Sequence, residues 1–127
     1  NIMKIDIDKG DSNLNRITSY SSDCIKLENI TIKESLVVSP TRLAEGMFSN
    51  NFHDFDLKNL EKIMLWNPEI ILIGSGKSNH LPSHEWTICA NNHNIGFEVM
   101  STGAACRSYN LLVDEGRDVV ACLFLPA

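Results

Sequence analysis

The sequence predicts an α/β layered domain, and two observations carry the prediction. From Asp56 onward, apolar residues at helical spacing alternate with apolar runs of strand length, the pattern of strand–helix–strand units. Before Pro40, short β-type segments are separated by turn residues, so the first half must add strands or a small second layer. The 127 residues show no break in composition, and one domain spanning residues 1–127 is expected. A chain of this length buries about two thirds of its unfolded surface, so neither metals nor disulfides are needed to hold it.

Each element has a local reason. Ile2, Ile5 and Ile7 lie in a short apolar segment, and the turn residues at 8–11 follow it. Residues 17–20, 24–27, 30–32 and 35–38 read as short strands, with Asp23 and Glu28-Asn29 as tight turns between them. Pro40 ends this part. Residues 41–55 read as an irregular loop marked by Gly46, Asn50 and Asn51, with Phe48, Phe52 and Phe55 anchoring it to the core. Asp56 can cap a first helix that carries Leu57, Leu60, Ile63 and Met64 on one face. Asn67-Pro68 stops it, because the residue before proline avoids helical geometry. Residues 70–73 are apolar on both faces, as in a central parallel strand.

Gly74-Ser-Gly-Lys77 turns out of that strand. Pro82 suits the first turn of a second helix, with Trp86, Cys89, Ala90 and His93 on one face. Residues 95–100 form the next strand and 104–113 the third helix. Gly116 is a natural residue to end that helix, and 119–125 close the sheet. Two strand–helix–strand units in tandem imply right-handed crossovers.

Composition excludes some function classes. The net charge is -5 and the eleven basic residues are scattered, which argues against nucleic acid. The longest apolar stretches, 70–73 and 119–125, are far too short to span a bilayer. The first residues do not read as a secretory signal. Cys24, Cys89, Cys106 and Cys122 have no CxxC spacing and read as reduced thiols of a cytoplasmic protein.

Both glycine-rich turns follow strands expected to be neighbours, and ligands collect at the carboxyl ends of such strands. Gly74, Ser75, Gly76, Ser101, Thr102, Gly103 and the first turn of the third helix therefore form one candidate anion pocket. The competing reading is a pair of capped helix starts with nothing bound. Gly74-Ser-Gly-Lys77 fails the P-loop spacing and lacks the third glycine of the dinucleotide fingerprint. Its glycines serve positive φ and close chain approach, with an anion contact from Ser75 or Lys77 as the alternative.

In the third helix Ala105, Tyr109, Leu112 and Val113 form an apolar stripe, while Arg107, Asn110 and Asp114 share a polar face. Arg107 opposes the helix dipole in the first turn and needs a local partner: an acid such as Glu98, an exogenous anion or another protein. Cys106 sits where the dipole and Arg107 could activate a thiol, or is a buried structural cysteine. His80, His84 and Glu85 lack the H-E-x-x-H order, His53 is isolated, and no metal or cofactor is expected. No nucleophile–base or paired-carboxylate signature stands out.

The stretch Ile70-Ile-Leu-Ile-Gly-Ser-Gly76, followed by Ile95-Gly-Phe-Glu-Val-Met-Ser-Thr-Gly-Ala-Ala-Cys-Arg-Ser-Tyr-Asn-Leu-Leu112, closely resembles the Mth938-like family. The resemblance covers most of the chain and includes Val38-Ser-Pro40. The family includes small bacterial and archaeal proteins and the mitochondrial respiratory complex I assembly factor 3. It implies a central mixed sheet with helices packed on it and a small additional β layer. Ser101 departs from the aspartate or other small polar residue common at that position. The positions that carry over are Thr102, Gly103, Arg107, Tyr109 and Asn110.

The resemblance implies a non-enzymatic interaction module, an assembly or chaperone-like factor with an unidentified protein partner. Exposed apolar surface around Phe48, Phe52 and Phe55 would support it. The alternative is a binder of, or enzyme acting on, a small anionic ligand at the Gly74/Thr102/Arg107 crevice. There Arg107 would clamp the anion, the amides of residues 103–105 would cradle it, and Tyr109 or Cys106 would contribute chemistry. A third reading, a redox sensor, requires Cys106 to be exposed.

Overall fold

Asp56 starts the first helix by a reciprocal cap. In the computed structural model, which describes residues 13–126, its carboxylate accepts from the Asn59 amide at 3.0 Å. The Asn59 side chain accepts from the Asp56 amide at 3.1 Å. Two backbone donors at the helix start are satisfied at once. Helix α1 (Leu57–Met64) turns Leu60 and Ile63 into the core, and Asn67 leaves it at φ 56° before Pro68. The segment containing Ile2, Ile5 and Ile7 and the turn at 8–11 lie outside the described residues.

The first half forms two hairpin systems. Strands β1 (Ser19–Tyr20), β2 (Ile25–Lys26) and β3 (Thr31–Ile32) make a small antiparallel sheet in the order β1-β2-β3. The strand expected at 35–38 leaves that meander. As β4 (Leu36–Val38) it joins the main sheet, pairing with β5 (Leu43–Glu45) and with β8 (Val119–Leu123), both antiparallel. Strand β5 corrects the reading of 41–55 as loop throughout. Pro40 ends β4 by making a turn, not by ending the β region. The Ser39 amide donates to the Arg42 carbonyl at 2.9 Å, and the Ser39 hydroxyl accepts from the Arg42 amide at 3.0 Å.

The second half alternates as expected. Strand β6 (Ile70–Gly74) pairs in parallel with β7 (Gly96–Met100) on one side and with β8 on the other. The five strands run β5-β4-β8-β6-β7. Helix α2 (His84–Asn92) connects β6 to β7, and helix α3 (Thr102–Asp114) connects β7 to β8. Pro82 stands two residues before α2, outside its first turn. His93 is exposed at the end of α2, bonded through Nδ1 to the Cys89 carbonyl, and does not extend the apolar face.

The step from β6 out to β7 and the step back past β6 to β8 run in opposite directions. They keep one hand only if they use opposite faces of the sheet. The core has this arrangement. Alternate residues of a strand face opposite sides, so Leu72, Ala121 and Leu123 pack with α3 and with Ile25 and Ile32 of the small sheet. Ile71, Ile73, Val120 and Cys122 pack with Leu60, Ile63 and Trp86 of the other two helices. The expected central mixed sheet, flanking helices and additional small β layer are all present.

Candidate functional site

The carboxyl ends of β6 and β7 are where the sequence places an anion pocket. Their outgoing helices, α2 and α3, lie on opposite faces, so a crevice belongs between them. The chain itself occupies that crevice. The Ser75 amide donates to the Met100 carbonyl at 2.8 Å, and its hydroxyl lies 2.8 Å from the Ser78 carbonyl and 3.0 Å from that of Met100. The Thr102 amide donates to the Gly76 carbonyl at 2.8 Å, and the Gly76 amide returns a bond to Thr102 Oγ1 at 2.9 Å. Thr102 is fully buried, and its hydroxyl donates to the Phe124 carbonyl. The Ser101 amide donates to Asn79 Oδ1 at 2.7 Å, while the Ser101 hydroxyl accepts from the Ala104 amide. Thus the amides of Ser101, Thr102 and Ala104 have partners within the chain.

The glycines explain how the two turns come so close. A Cβ on Gly74 would stand 3.0 Å from both the Thr102 Cα and Leu123 Cδ2. Gly76 adopts φ +102°, a conformation that favours glycine.

The rest of the third helix's polar face holds the small β layer. The Asn110 side chain accepts from the Ile17 amide at 2.9 Å and donates to the Ile17 carbonyl at 2.8 Å. The Tyr109 hydroxyl, on a fully buried ring, donates to the Asn15 carbonyl at 2.8 Å. Arg16 pairs with Asp114 at 2.8 Å. Arg107 finds its intramolecular partner in the Tyr20 hydroxyl at 2.6 Å rather than in Glu98. Tyr20 lies against Gly103, where a Cβ would come within 2.8 Å of the phenol oxygen. Of the nine candidate residues, Gly74, Ser75, Gly76, Ser101 and Thr102 meet in one stitch. Gly103, Arg107, Tyr109 and Asn110 meet residues 15–20.

Cys106 and Cys122 are set against reactivity. Cys106 is 1% exposed, and burial pushes its pKa up to about 12 although Arg107 pulls the other way. The dipole and the arginine therefore do not activate it, and the exposure a redox sensor needs is absent. Burial also raises the Tyr109 phenol and the Cys122 thiol. Among the described residues no group of three or more His, Cys, Asp or Glu could hold a metal ion.

An open cavity of about 480 Å³ lies on the other side of the 75–79 turn, toward the end of β8. Ser75, Gly76, Lys77, Ser78 and His80 form one wall, Asn50, Asn51 and His53 face them, and Phe52, Phe124 and Leu125 complete the lining. Of the nine candidate pocket residues only Ser75 and Gly76 line it, together with Lys77, which the sequence offered as an alternative anion contact. The two walls meet because Phe52 packs its ring against Phe124 at 5.6 Å and Trp86 at 6.1 Å. Phe55 meets Trp86 at 5.2 Å and Phe48 at 5.6 Å. The three phenylalanines thus anchor the loop as expected and are not presented as an exposed patch. Large apolar side chains reach solvent instead at Leu65, Leu81, Ile88 and Leu111. Lys77, His53 and His80 carried no spacing motif, and the Phe52–Phe124 contact that joins them is between residues far apart in sequence.

Residues 17–124 match the family described as protein of unknown function (DUF498/DUF598). A Francisella tularensis protein named "13 kDa major membrane protein" is 33% identical over 91 residues, covering 71% of this chain and 73% of that protein. A crystal structure of a Bordetella parapertussis protein superposes with a TM-score of 0.81 at 30% identity, covering 88% of this chain and 96% of the other. A Bordetella pertussis Mth938-like domain has a TM-score of 0.80 at 23% identity, covering 91% and 89%, and shares the fold. The chain belongs to the DUF498/DUF598 family of Mth938-like domains.

Proposed function

We propose that this protein works by binding rather than by catalysis, as an assembly or chaperone-like interaction module in the cytoplasm. One observation carries the reading. The side chains that could do chemistry in the recognisable third helix are spent inside the fold: Thr102 and Tyr109 are buried and bonded to backbone, and Cys106 is a buried, hard-to-ionise thiol. The exposed Leu65, Leu81 and Ile88 on the α1–α2 side add apolar surface for a partner. The resemblance to a mitochondrial assembly factor supports the same reading, as an analogy of fold.

The Francisella relative is named a membrane protein. No helix among the described residues is long and apolar enough to cross a membrane. A partner held at a membrane would bring such a module to the membrane fraction without a span of its own.

The test is complementation of cells lacking the protein with Cys106→Ala and Tyr109→Phe variants, together with sizing of the untagged protein from its own cells. Both variants are expected to complement in proportion to their folded abundance, and the wild type to elute in a complex larger than its monomer. A variant that accumulates and melts like wild type yet fails to complement would establish a chemical role and overturn the proposal.

A further inference from the structure

We infer that the cavity between the 50–53 and 75–80 segments is a binding site for a small organic oxyanion, an acid head group on an apolar body. Its volume of about 480 Å³ suits a small molecule. Its lining is electrostatically one-sided. Its one formally charged lining residue is Lys77, His53 and His80 add imidazole nitrogens, and among the described residues no Asp or Glu contributes. The chain as a whole carries 16 acidic against 11 basic residues, so this concavity runs against the overall charge. The nearest acid in sequence, Asp54, turns its carboxylate to the Ser49 hydroxyl at 2.7 Å.

A second observation is independent of charge. His80 Nδ1 is buried and has no hydrogen-bond partner. Buried polar atoms are normally satisfied, and a turn of the His80 ring, which lines the cavity, would bring this nitrogen to an oxygen of a bound acid. The apolar side of the site is also fixed in place. Phe52 and Phe124 form its wall, and the Phe52 ring is held by Phe124 and Trp86. The His80 ring lies 5.0 Å from Phe52 and 5.3 Å from His53, so the imidazoles adjoin the aromatic wall. Lys77 and the imidazole N–H groups would hold the acid oxygens while the two phenylalanines cover the body. No covalent step is involved.

Calorimetric titration of the whole protein with phenyl phosphate and with inorganic phosphate tests the assignment. Phenyl phosphate is expected to bind about tenfold more tightly or better, because only it reaches the aromatic wall. Lys77→Ala and His80→Gln should each weaken it about tenfold, the scale of one charge-assisted hydrogen bond. Arg107→Ala should bind as wild type does, since Arg107 lines no part of this cavity. Amide NMR shifts on the wild type check the location without any substitution: they should centre on His53, Lys77 and Ser78. Absence of saturable binding by phenyl phosphate would overturn the inference. So would shifts centred on α3, or affinity lost with Arg107→Ala but kept in Lys77→Ala and His80→Gln.

Discussion

Replacing Thr102 by valine removes a hydroxyl and keeps the shape. That hydroxyl is fully buried, donates to the Phe124 carbonyl and accepts from the Gly76 amide. Valine leaves both backbone groups without it, in a place water does not reach. An unsatisfied buried backbone group costs about 1–3 kcal/mol, so the pair gives about 2–6 kcal/mol. Against a total stability of about 5–15 kcal/mol, that is a large fraction. Thr102→Ser keeps the hydroxyl and loses one buried methyl group, which costs about 1 kcal/mol. Urea unfolding of the three proteins, with equal m-values as a control, measures both differences. The valine variant is expected to lose at least twice as much as the serine variant. Equal losses would mean that the methyl packing matters as much as the hydroxyl at this position. A valine variant within about 0.5 kcal/mol of wild type would refute the idea that this side chain ties three chain segments together.

Two other perturbations read the same geometry. Gly74→Ala places a Cβ 3.0 Å from the backbone of Thr102, which cannot swing away, whereas Gly103→Ala meets the end of the Tyr20 side chain. Gly74→Ala should therefore cost about 1–3 kcal/mol in the same unfolding assay. Gly103→Ala should cost less and be relieved by Tyr20→Ala, and a larger loss for Gly103→Ala would contradict the contacts. At acid pH, Glu69 offers a charge test. The Arg117 guanidinium, at 3.0 Å, and the Asp118 amide hold its carboxyl below the usual 4.5. A depressed folded value stabilises the protein fully above the unfolded value, and the contribution is lost as pH falls through the folded one. Glu69→Gln should flatten the stability–pH curve below about pH 4.5 and leave its slope near neutrality unchanged. An unchanged acid limb would show that the pair carries no linkage.

What was legible in the sequence follows from where burial is regular. Ile71, Leu72 and Ile73 are buried on both faces of a central strand, and that environment writes itself as an unbroken apolar run. The Asp56 cap and the glycine after α3 are local devices and equally plain. Strand β5 was not legible, because three half-buried or exposed residues become a strand only by pairing with β4. The strands of the small sheet shrink to two residues each for the same reason: pairing, not pattern, sets their length. At Arg107 the anomaly was visible, since a cation in a first turn demands a partner. The partner was not visible, because Tyr20 lies 87 residues away and is uncharged.

The same contrast separates the residues that identify the fold from those that form an open site. The run from Ser101 to Asn110 is distinctive because several polar side chains must each meet one backbone group or one hydroxyl in another layer. Thr102 reaches the end of β8, Asn110 and Tyr109 reach residues 15–17, and Arg107 reaches Tyr20. The buried Thr102 and Tyr109 fix architecture and have little left to offer a ligand, whereas Arg107 stays exposed. Lys77, His53 and His80 stand in the opposite situation. Lys77 and His80 sit in the loop after β6 and His53 in a 3-10 turn, both held by the Phe52–Phe124 contact, and all three line the concavity. Function in such a protein is therefore better sought in the loops around the carboxyl end of β8 than in the motif that makes the chain recognisable.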